Sequence, residues 1–187
     1  MLHPLLPWLA ALLLALSGCA STTTSQLIPS PQAPVCQGTA TARIIWVTNW
    51  RPDQKDISAR EAAASEGMSQ FFQRSACFLS ASVHRLPEYS DPSIQAAVTE
   101  AATRYEKVVL VVVRELGPTL KLGASLALVE GGTEVVLEVS EYMPVSPAPR
   151  TFSVQWRSGG AGVVKGTATL PQDMQAALAS GLQPVAK

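Results

Sequence analysis

The sequence predicts an α/β (α+β) domain: a β-α-β-α-β half, then an antiparallel β meander and a short C-terminal helix, with helices packed on a mixed sheet. Two observations predict the first half. Apolar stripes at helical spacing alternate with strand-like runs, and the third run, KVVLVVVR at residues 107–114, is apolar between its terminal charges. The third observation predicts the second half, because apolar and polar residues alternate between glycine-rich breaks after residue 118.

The first predicted strand covers residues 41–48 (TARIIWVT), which are rich in β-branched and aromatic side chains. A polar loop follows at residues 49–56. Ser58 and Glu61 have the spacing of a capping box, which predicts the start of a helix that ends near Arg74. The apolar stripe of this helix consists of Ala64, Met68, Phe71 and Phe72.

The second strand is predicted at residues 77–85 (CFLSASVHR), where apolar and small polar residues alternate. Asp91-Pro92 combines a capping residue with a proline at the first helical position, and it predicts the start of the second helix. The stripe of that helix consists of Ile94, Val98, Ala101, Ala102 and Tyr105. Residues 107–114 form the predicted central strand, covered on both faces.

The second half is predicted as a meander. Residues 120–130 and 134–142 flank Gly131-Gly132, which has the composition of a tight hairpin turn. A further strand is predicted around Phe152, Val154 and Trp156, then a turn at residues 158–162, a short strand at 163–168, and a last helix carrying Met174, Ala177 and Leu178. The predicted domain therefore spans residues 41–182, with a tail at 183–187.

The amino-terminal segment has the features of an export signal. Residues 5–16 form an apolar run that is too short to span a membrane, which needs about 20 residues, but suits the central region of a signal peptide. The preceding residues contain no Lys or Arg. The tetrapeptide Leu16-Ser17-Gly18-Cys19 resembles the lipobox of bacterial lipoproteins.

This resemblance implies that residues 1–18 are removed and that the thiol of Cys19 receives a diacylglycerol. The expected partner of the mature amino terminus is therefore a membrane, reached through the lipid anchor. The residue after the cysteine is Ala20 rather than an aspartate. By resemblance to Gram-negative sorting, the expected location is the inner leaflet of the outer membrane, facing the periplasm.

Residues 19–40 are predicted as the lipidated cysteine and a disordered tether, because the stretch ASTTTSQLIPSPQAPV is polar, contains prolines and has no usable hydrophobic period. Fully extended, its residues could hold the domain about 50 Å from the bilayer. Cys36 and Cys77 would lie in an oxidising compartment, where a disulfide is predicted. Two buried thiols are the alternative.

Composition argues against several classes of function. Lys and Arg number 14 and so do Asp and Glu, and the pI of about 6.7 gives no electrostatic reason to bind nucleic acid. After signal removal His84 is the only histidine, so no two-histidine metal site can form, and neither a metal nor another cofactor is predicted. Cys77 lies seven residues from His84, about 23 Å along a strand, which argues against a thiol nucleophile and leaves no catalytic residue predicted.

The loop after the first strand is the predicted site of interaction. Trp50 and Arg51 are adjacent in this polar loop, and Trp and Arg are typical anchors of protein interfaces. The alternative is a tryptophan folded back over the edge of the sheet. Asp53 and Asp56, with Asn49, could bind a cation, but the spacing lacks the elements of a calcium loop and favours a solvated turn.

The domain weakly resembles the envelope domain shared by the TolB amino-terminal domain and CsgG-type lipoproteins. The resemblance depends on ARIIWVTNWRPDQKDISAREAAASEGMSQFF and on YEKVVLVVVREL leading into the hairpin. It implies a non-enzymatic, membrane-anchored accessory or docking component that binds an envelope protein or associates with itself. The alternative function is a small-ligand or lipid-binding auxiliary subunit of an envelope transporter, and an envelope hydrolase is the third hypothesis.

Overall fold

A computed structural model describes residues 21–122, 129–143 and 148–183. Cys19, the predicted signal segment 1–18 and the end of the tail lie outside the described residues. The elements are β1 (Thr22–Ile28), β2 (Gln37–Thr48), α1 (Ile57–Arg74), β3 (Phe78–Arg85), α2 (Asp91–Ala102), β4 (Lys107–Leu122), β5 (Val129–Tyr142), β6 (Arg150–Ala161), a 3-10 turn (Thr167–Thr169) and α3 (Leu170–Leu182).

The described strands form one mixed sheet in the order β1-β6-β5-β4-β2-β3. β2 pairs in parallel with both β3 and β4, as expected for two crossovers that each contain a helix. The β4–β5, β5–β6 and β6–β1 pairs are antiparallel. The predicted fold class, a mixed sheet with helices packed on it and a C-terminal helix, is therefore confirmed.

The helices cover the sheet from two sides. α1 and α3 pack on one face, where the larger core contains Trp46, Met68, Phe152 and Leu178. α2 packs on the opposite face against β2 and β4, so the central part of the sheet is covered on both faces, as the continuous apolar run of β4 predicts. α1 and α3 approach each other closely at Gly67, where an added Cβ would lie 2.7 Å from the Cβ of Met174.

The amino-terminal segment differs from the predicted tether of residues 19–40. Thr22–Ile28 forms the edge strand β1, antiparallel to β6 along its whole length. Val35 is fully buried, and its backbone N–H donates to the carbonyl of Leu182 at 2.9 Å. The segment shows no hydrophobic period because, of the β1 side chains, only Leu27 packs on the core. The strand is held in the sheet by backbone hydrogen bonds to β6 instead. The domain thus begins at Thr22, and β2 begins at Gln37 rather than at residue 41.

Two predicted turns lie inside strands. Gly131-Gly132 belongs to β5, where Gly131 pairs with Leu120, and residues 158–161 belong to β6. Gly132 and Gly159 face each other across β5 and β6, and a Cβ on Gly132 would lie 2.6 Å from the carbonyl oxygen of Ser158. These glycines therefore permit a close approach of two strands instead of reversing the chain. The short strand predicted at residues 163–168 is also absent; irregular backbone leads into the 3-10 turn there.

The helix starts agree only in part with the capping patterns. α2 begins where predicted, with Pro92 in its first turn, but the cap is Ser90 rather than the predicted Asp91, which is the first helical residue. α1 is capped at Asp56 rather than at Ser58, and no side-chain cap bond forms. Glu61 is therefore free of the predicted capping box and bonds elsewhere, to Thr48 and Arg85.

The predicted disulfide is present. Cys36 and Cys77 are joined, with their Cα atoms 4.5 Å apart and a sequence separation of 41. Cys36 immediately precedes β2 and Cys77 immediately precedes β3, and the two strands run parallel. The bridge therefore ties the same ends of two neighbouring parallel strands, where the strand spacing suits a disulfide.

Candidate docking site

The β2–α1 loop (residues 49–56) is held in place by one buried carboxylate. Glu115 follows a register shift in β4, where the strand departs from regular pairing with β5. Its carboxylate accepts hydrogen bonds from Arg51 at 2.7 Å, from Gln54 at 2.9 Å and from Arg60 at 2.8 Å. Three donors from the loop and the first turn of α1 thus converge on the Glu115 carboxylate. The two guanidinium groups among them compensate the negative charge of this largely buried side chain.

Arg60 links this carboxylate to the backbone on both sides. Its Nε donates to the carbonyl of Lys55 at 2.8 Å, and its Nη1 donates to the carbonyl of Leu116 at 2.6 Å. The guanidinium occupies the space above Gly117, where an added Cβ would lie 1.5 Å from Nη1. A glycine is therefore required at this position of β4 to admit the arginine.

A second ion pair lies beside the first. Arg85, at the end of β3, contacts Glu61 at 2.6 Å, and its guanidinium carbon lies 5.2 Å from the centre of the Trp46 ring. Burial raises the pKa of the Glu61 carboxyl, but the hydrogen bond and charge of Arg85 and the hydroxyl of Thr48 together lower the pKa below its ordinary value of 4.5. Glu61 is therefore ionised at neutral pH.

The two predicted binding residues, Trp50 and Arg51, have different surroundings. Trp50 is partly buried and packs against the larger core, and its Nε1 is buried with no hydrogen-bond partner in the described structure. The N–H of this indole helps to lower the pKa of Glu61 without reaching hydrogen-bond geometry. The Arg51 side chain is 66% exposed although it pairs with Glu115. The loop therefore presents a guanidinium that is paired with Glu115, next in the chain to a partly covered indole, and the role of the two residues in binding stays a prediction.

The loop carboxylates and His84 do not belong to a metal-binding group in the described part of the chain. Asp53 and Asp56 are exposed, and Asp56 lies at the start of α1 in a left-handed conformation with φ of 54°. Across residues 21–122, 129–143 and 148–183, no group of three His, Cys, Asp or Glu side chains is placed to hold a metal ion. His84 is exposed on edge strand β3. Cys77 is part of the disulfide, so it cannot supply a thiolate to pair with His84.

Sequence reasoning missed Glu115 and Arg60. The predicted central strand ends at residue 114, whereas β4 continues through Glu115 to Leu122. One signal was available: Arg60 lies beside the apolar stripe of a helix, and Glu115 directly follows the predicted apolar strand. Their pairing depends on tertiary contact over 55 positions of sequence, which local spacing does not reveal.

No family model matches the chain, and no curated protein matches it. A PelC variant from Paraburkholderia phytofirmans, described as a dodecamer, is 14% identical with a TM-score of 0.48, and the alignment covers 86% of this chain and 99% of that chain. A neuraminyllactose-binding hemagglutinin homolog from Helicobacter pylori is 13% identical with a TM-score of 0.37, covering 79% of this chain and 84% of the other.

A third solved structure, from Xanthomonas campestris and described under the family model DUF330, is 12% identical with a TM-score of 0.37, covering 80% of this chain and 82% of that chain. At these identities and TM-scores, no site residue is transferred to this chain. The resemblance to the TolB amino-terminal domain and to CsgG-type lipoproteins stays a prediction. No helix among the described residues is long and apolar enough to cross a membrane.

Proposed function

We propose that the chain is a lipoprotein of the bacterial cell envelope, anchored through Cys19 in the inner leaflet of the outer membrane, whose domain docks another envelope protein without catalysing a reaction. The observation that carries the first part is the disulfide between Cys36 and Cys77. Disulfides persist in oxidising compartments such as the periplasm. The chain contains three cysteines, so the bridge leaves Cys19, the cysteine of the lipobox, as the one available for lipid.

The docking role is supported by the geometry of the β2–α1 loop. Arg51 is exposed but held by the buried carboxylate of Glu115, so little side-chain freedom is lost when a partner binds. Partly covered Trp50 lies next to it in the chain, and such pairs of aromatic and guanidinium groups supply much of the binding energy in interfaces. The loop is therefore a preorganised surface for a protein that offers an acidic or carbonyl-rich patch.

Lipidation is tested by the mass of the mature protein. Intact-protein mass spectrometry of the chain purified from membranes is expected to show loss of residues 1–18 and the added mass of the acyl groups on Cys19. The Cys19→Ser variant, which retains the other two cysteines, is expected to lack that mass and to leave the membrane fraction. An unmodified Cys19 in a chain that is still retained in membranes would contradict the proposal.

Docking is tested by photo-crosslinking in the cell that makes the protein. A photoreactive amino acid at position 53 samples the loop beside Arg51, and the same group at Gln95, exposed on α2, samples a different face. We expect a discrete adduct from position 53 only, and we expect Arg51→Ala to abolish it. Arg157→Ala is the matched control, because it removes a similarly exposed guanidinium from another ion pair.

Each outcome has a definite meaning. An adduct with the mass of two copies would indicate self-association, and an adduct with a different envelope protein would indicate a heterologous partner. The same adducts from positions 53 and 95, or an adduct that persists in Arg51→Ala, would contradict a docking role for the loop.

A further inference from the structure

The start of β1 fixes how far the domain can lie from its anchor. Thr22 is the first residue of β1 and is paired with Gly159 of β6. Three residue steps separate Thr22 from Cys19, which is at most about 11 Å of chain whatever its conformation. The predicted tether would have allowed about 50 Å between the bilayer and the domain. The connection from Cys19 to β1 instead has a length comparable to the thickness of a lipid headgroup layer.

One transverse row of the sheet identifies the end that lies nearest to the anchor. Thr22 pairs with Gly159, Gly159 with Gly132, and Gly132 with Thr119, so the row crosses β1, β6, β5 and β4. β4 and β5 continue past this row to Leu122 and Val129, on the same side of the row as the amino-terminal end of β1.

We infer that this end of the sheet lies against the bilayer surface, in contact with phospholipid headgroups, and that the opposite end, with the disulfide, points into the periplasm. This inference depends on the proposed lipidation of Cys19. The occupant of the surface is the membrane itself, since the length of chain between the lipid and β1 leaves no room for an intervening protein layer.

The chemistry of the surface suits headgroups. Val164 is 82% exposed. It belongs to this end of the sheet, since the backbone of the preceding Val163 packs directly on Gly131: a Cβ added there would lie 2.0 Å from the Val163 carbonyl oxygen. A cavity of about 270 Å³ beside the row is lined by hydroxyls of Thr22 and Thr24 and by the ion pair of Arg157 with Glu134. Because the opposite charges of Arg157 and Glu134 cancel, this ion pair gives no net attraction to anionic lipid, and the lipid anchor sets the orientation.

The position of the docking site follows from the same rows. Glu115 pairs with Val136, Val136 with Gln155, and Gln155 with Gln26. Gln26 lies four residues from Thr22, which is about 13 Å along a strand. A protein that binds Arg51 must therefore reach close to the membrane, so a membrane-embedded or membrane-attached partner fits this site.

The test places a fluorophore at either end of the lipidated, full-length chain in vesicles of phosphatidylethanolamine and phosphatidylglycerol. With Cys19 acylated and Cys36 bridged to Cys77, a single introduced cysteine can be labelled uniquely. Val164→Cys labels the proposed membrane end, and Arg104→Cys labels the other end, because the exposed Arg104 lies just before the start of β4. The two ends are up to about 40 Å apart along β4.

A nitroxide on the lipid headgroup is expected to remove the emission at position 164 and to leave the emission at 104. Replacing phosphatidylglycerol by a zwitterionic lipid should not change this result. A Gly-Ser insertion of about 12 residues between Ser21 and Thr22, worth about 20 Å of root-mean-square length, should abolish the difference while the protein still floats with vesicles.

The outcomes separate the two proposals. Protein that floats with vesicles but is quenched equally at both positions would overturn the orientation alone. Protein that neither floats nor carries the acyl mass would overturn the anchor and, with it, the orientation. A difference that persists after the insertion would show that the short connection does not set the orientation, which would also overturn the inference.

Discussion

Arg60 Nη1 lies 2.8 Å from Glu115 Oε1, and both side chains are about nine-tenths buried. Arg60 belongs to the first turn of α1 and Glu115 to the point where β4 departs from regular pairing. The pair therefore connects the helix, the central strand and the exposed Arg51, and the position of the β2–α1 loop depends on it.

Glu115→Ala is expected to lower the free energy of unfolding by about 3 to 5 kcal/mol, because it leaves the Arg60 charge buried and unpaired. Urea denaturation followed by circular dichroism measures this loss. Glu134→Ala is the matched control, since it breaks the Glu134–Arg157 pair, in which the arginine is mostly exposed, and should cost about 0 to 1 kcal/mol. Equal losses in the two variants would contradict a structural role for the buried pair.

Gly117→Ala is expected to destabilise the domain by about 2 to 3 kcal/mol, because the new methyl group would displace the Arg60 guanidinium and leave buried polar groups without partners. Thermal denaturation gives the change. Gly166→Ala is the control: an added Cβ there meets no atom within 4 Å, so the substitution should be neutral or slightly stabilising. If Gly117→Ala unfolds at the wild-type temperature, the close packing of Arg60 on β4 is wrong.

Reduction of the disulfide is expected to lower stability by about 3 to 4 kcal/mol, because the bridge closes a loop of 41 positions and limits the unfolded chain. The urea midpoint with and without a phosphine reductant measures this effect. The double variant Cys36→Ser with Cys77→Ser should have the lower midpoint in both conditions. A wild-type midpoint that does not respond to reductant, in protein shown to be reduced, would refute the prediction.

Glu61 predicts a dependence of stability on acid. Its folded-state pKa is below the ordinary 4.5, so ionised Glu61 contributes stability that is fully present above pH 4.5 and is lost as the pH falls through the lower, folded-state value. Glu61→Gln should therefore be less stable than wild type at pH 7, and the difference should shrink below pH 4.5. Glu66→Gln, an exposed carboxylate on the same helix, should show no such convergence.

Much of the fold could be predicted because local patterns and tertiary structure agree over its first half. The stripe that contains Met68 and Phe71 is buried, and the apolar run of β4 is covered on both faces. The prediction failed at β1, where six of seven side chains are exposed and backbone pairing with β6 replaces any hydrophobic signal. The turn predicted at Gly131 and Gly132 was also wrong, because glycine marks close approaches of two backbones as well as turns.

The candidate site was predictable only in its exposed members. Trp50 and Arg51 are visible as an unusual pair in a polar loop, because their types and adjacency are local properties. The groups that position them, Glu115 and Arg60, come from distant parts of the chain and look like ordinary surface charges until the fold brings them together. The disulfide was partly predictable from sequence. Two cysteines remain once Cys19 is assigned to the lipobox, and the predicted strand order allows them to lie close together.

The pairing of β1 also determines how the domain bears mechanical load. A pull on Thr22 along the strand axis acts on the ladder between β1 and β6 in shear, so its hydrogen bonds, from Thr22 to Ile28, resist together rather than opening one after another. Beyond Ile28 the chain returns to the core at Val35 and, one residue later, to the disulfide. With the proposed lipid anchor at Cys19, a pulling force would therefore be resisted first by the β1–β6 hydrogen bonds acting together and then by the disulfide.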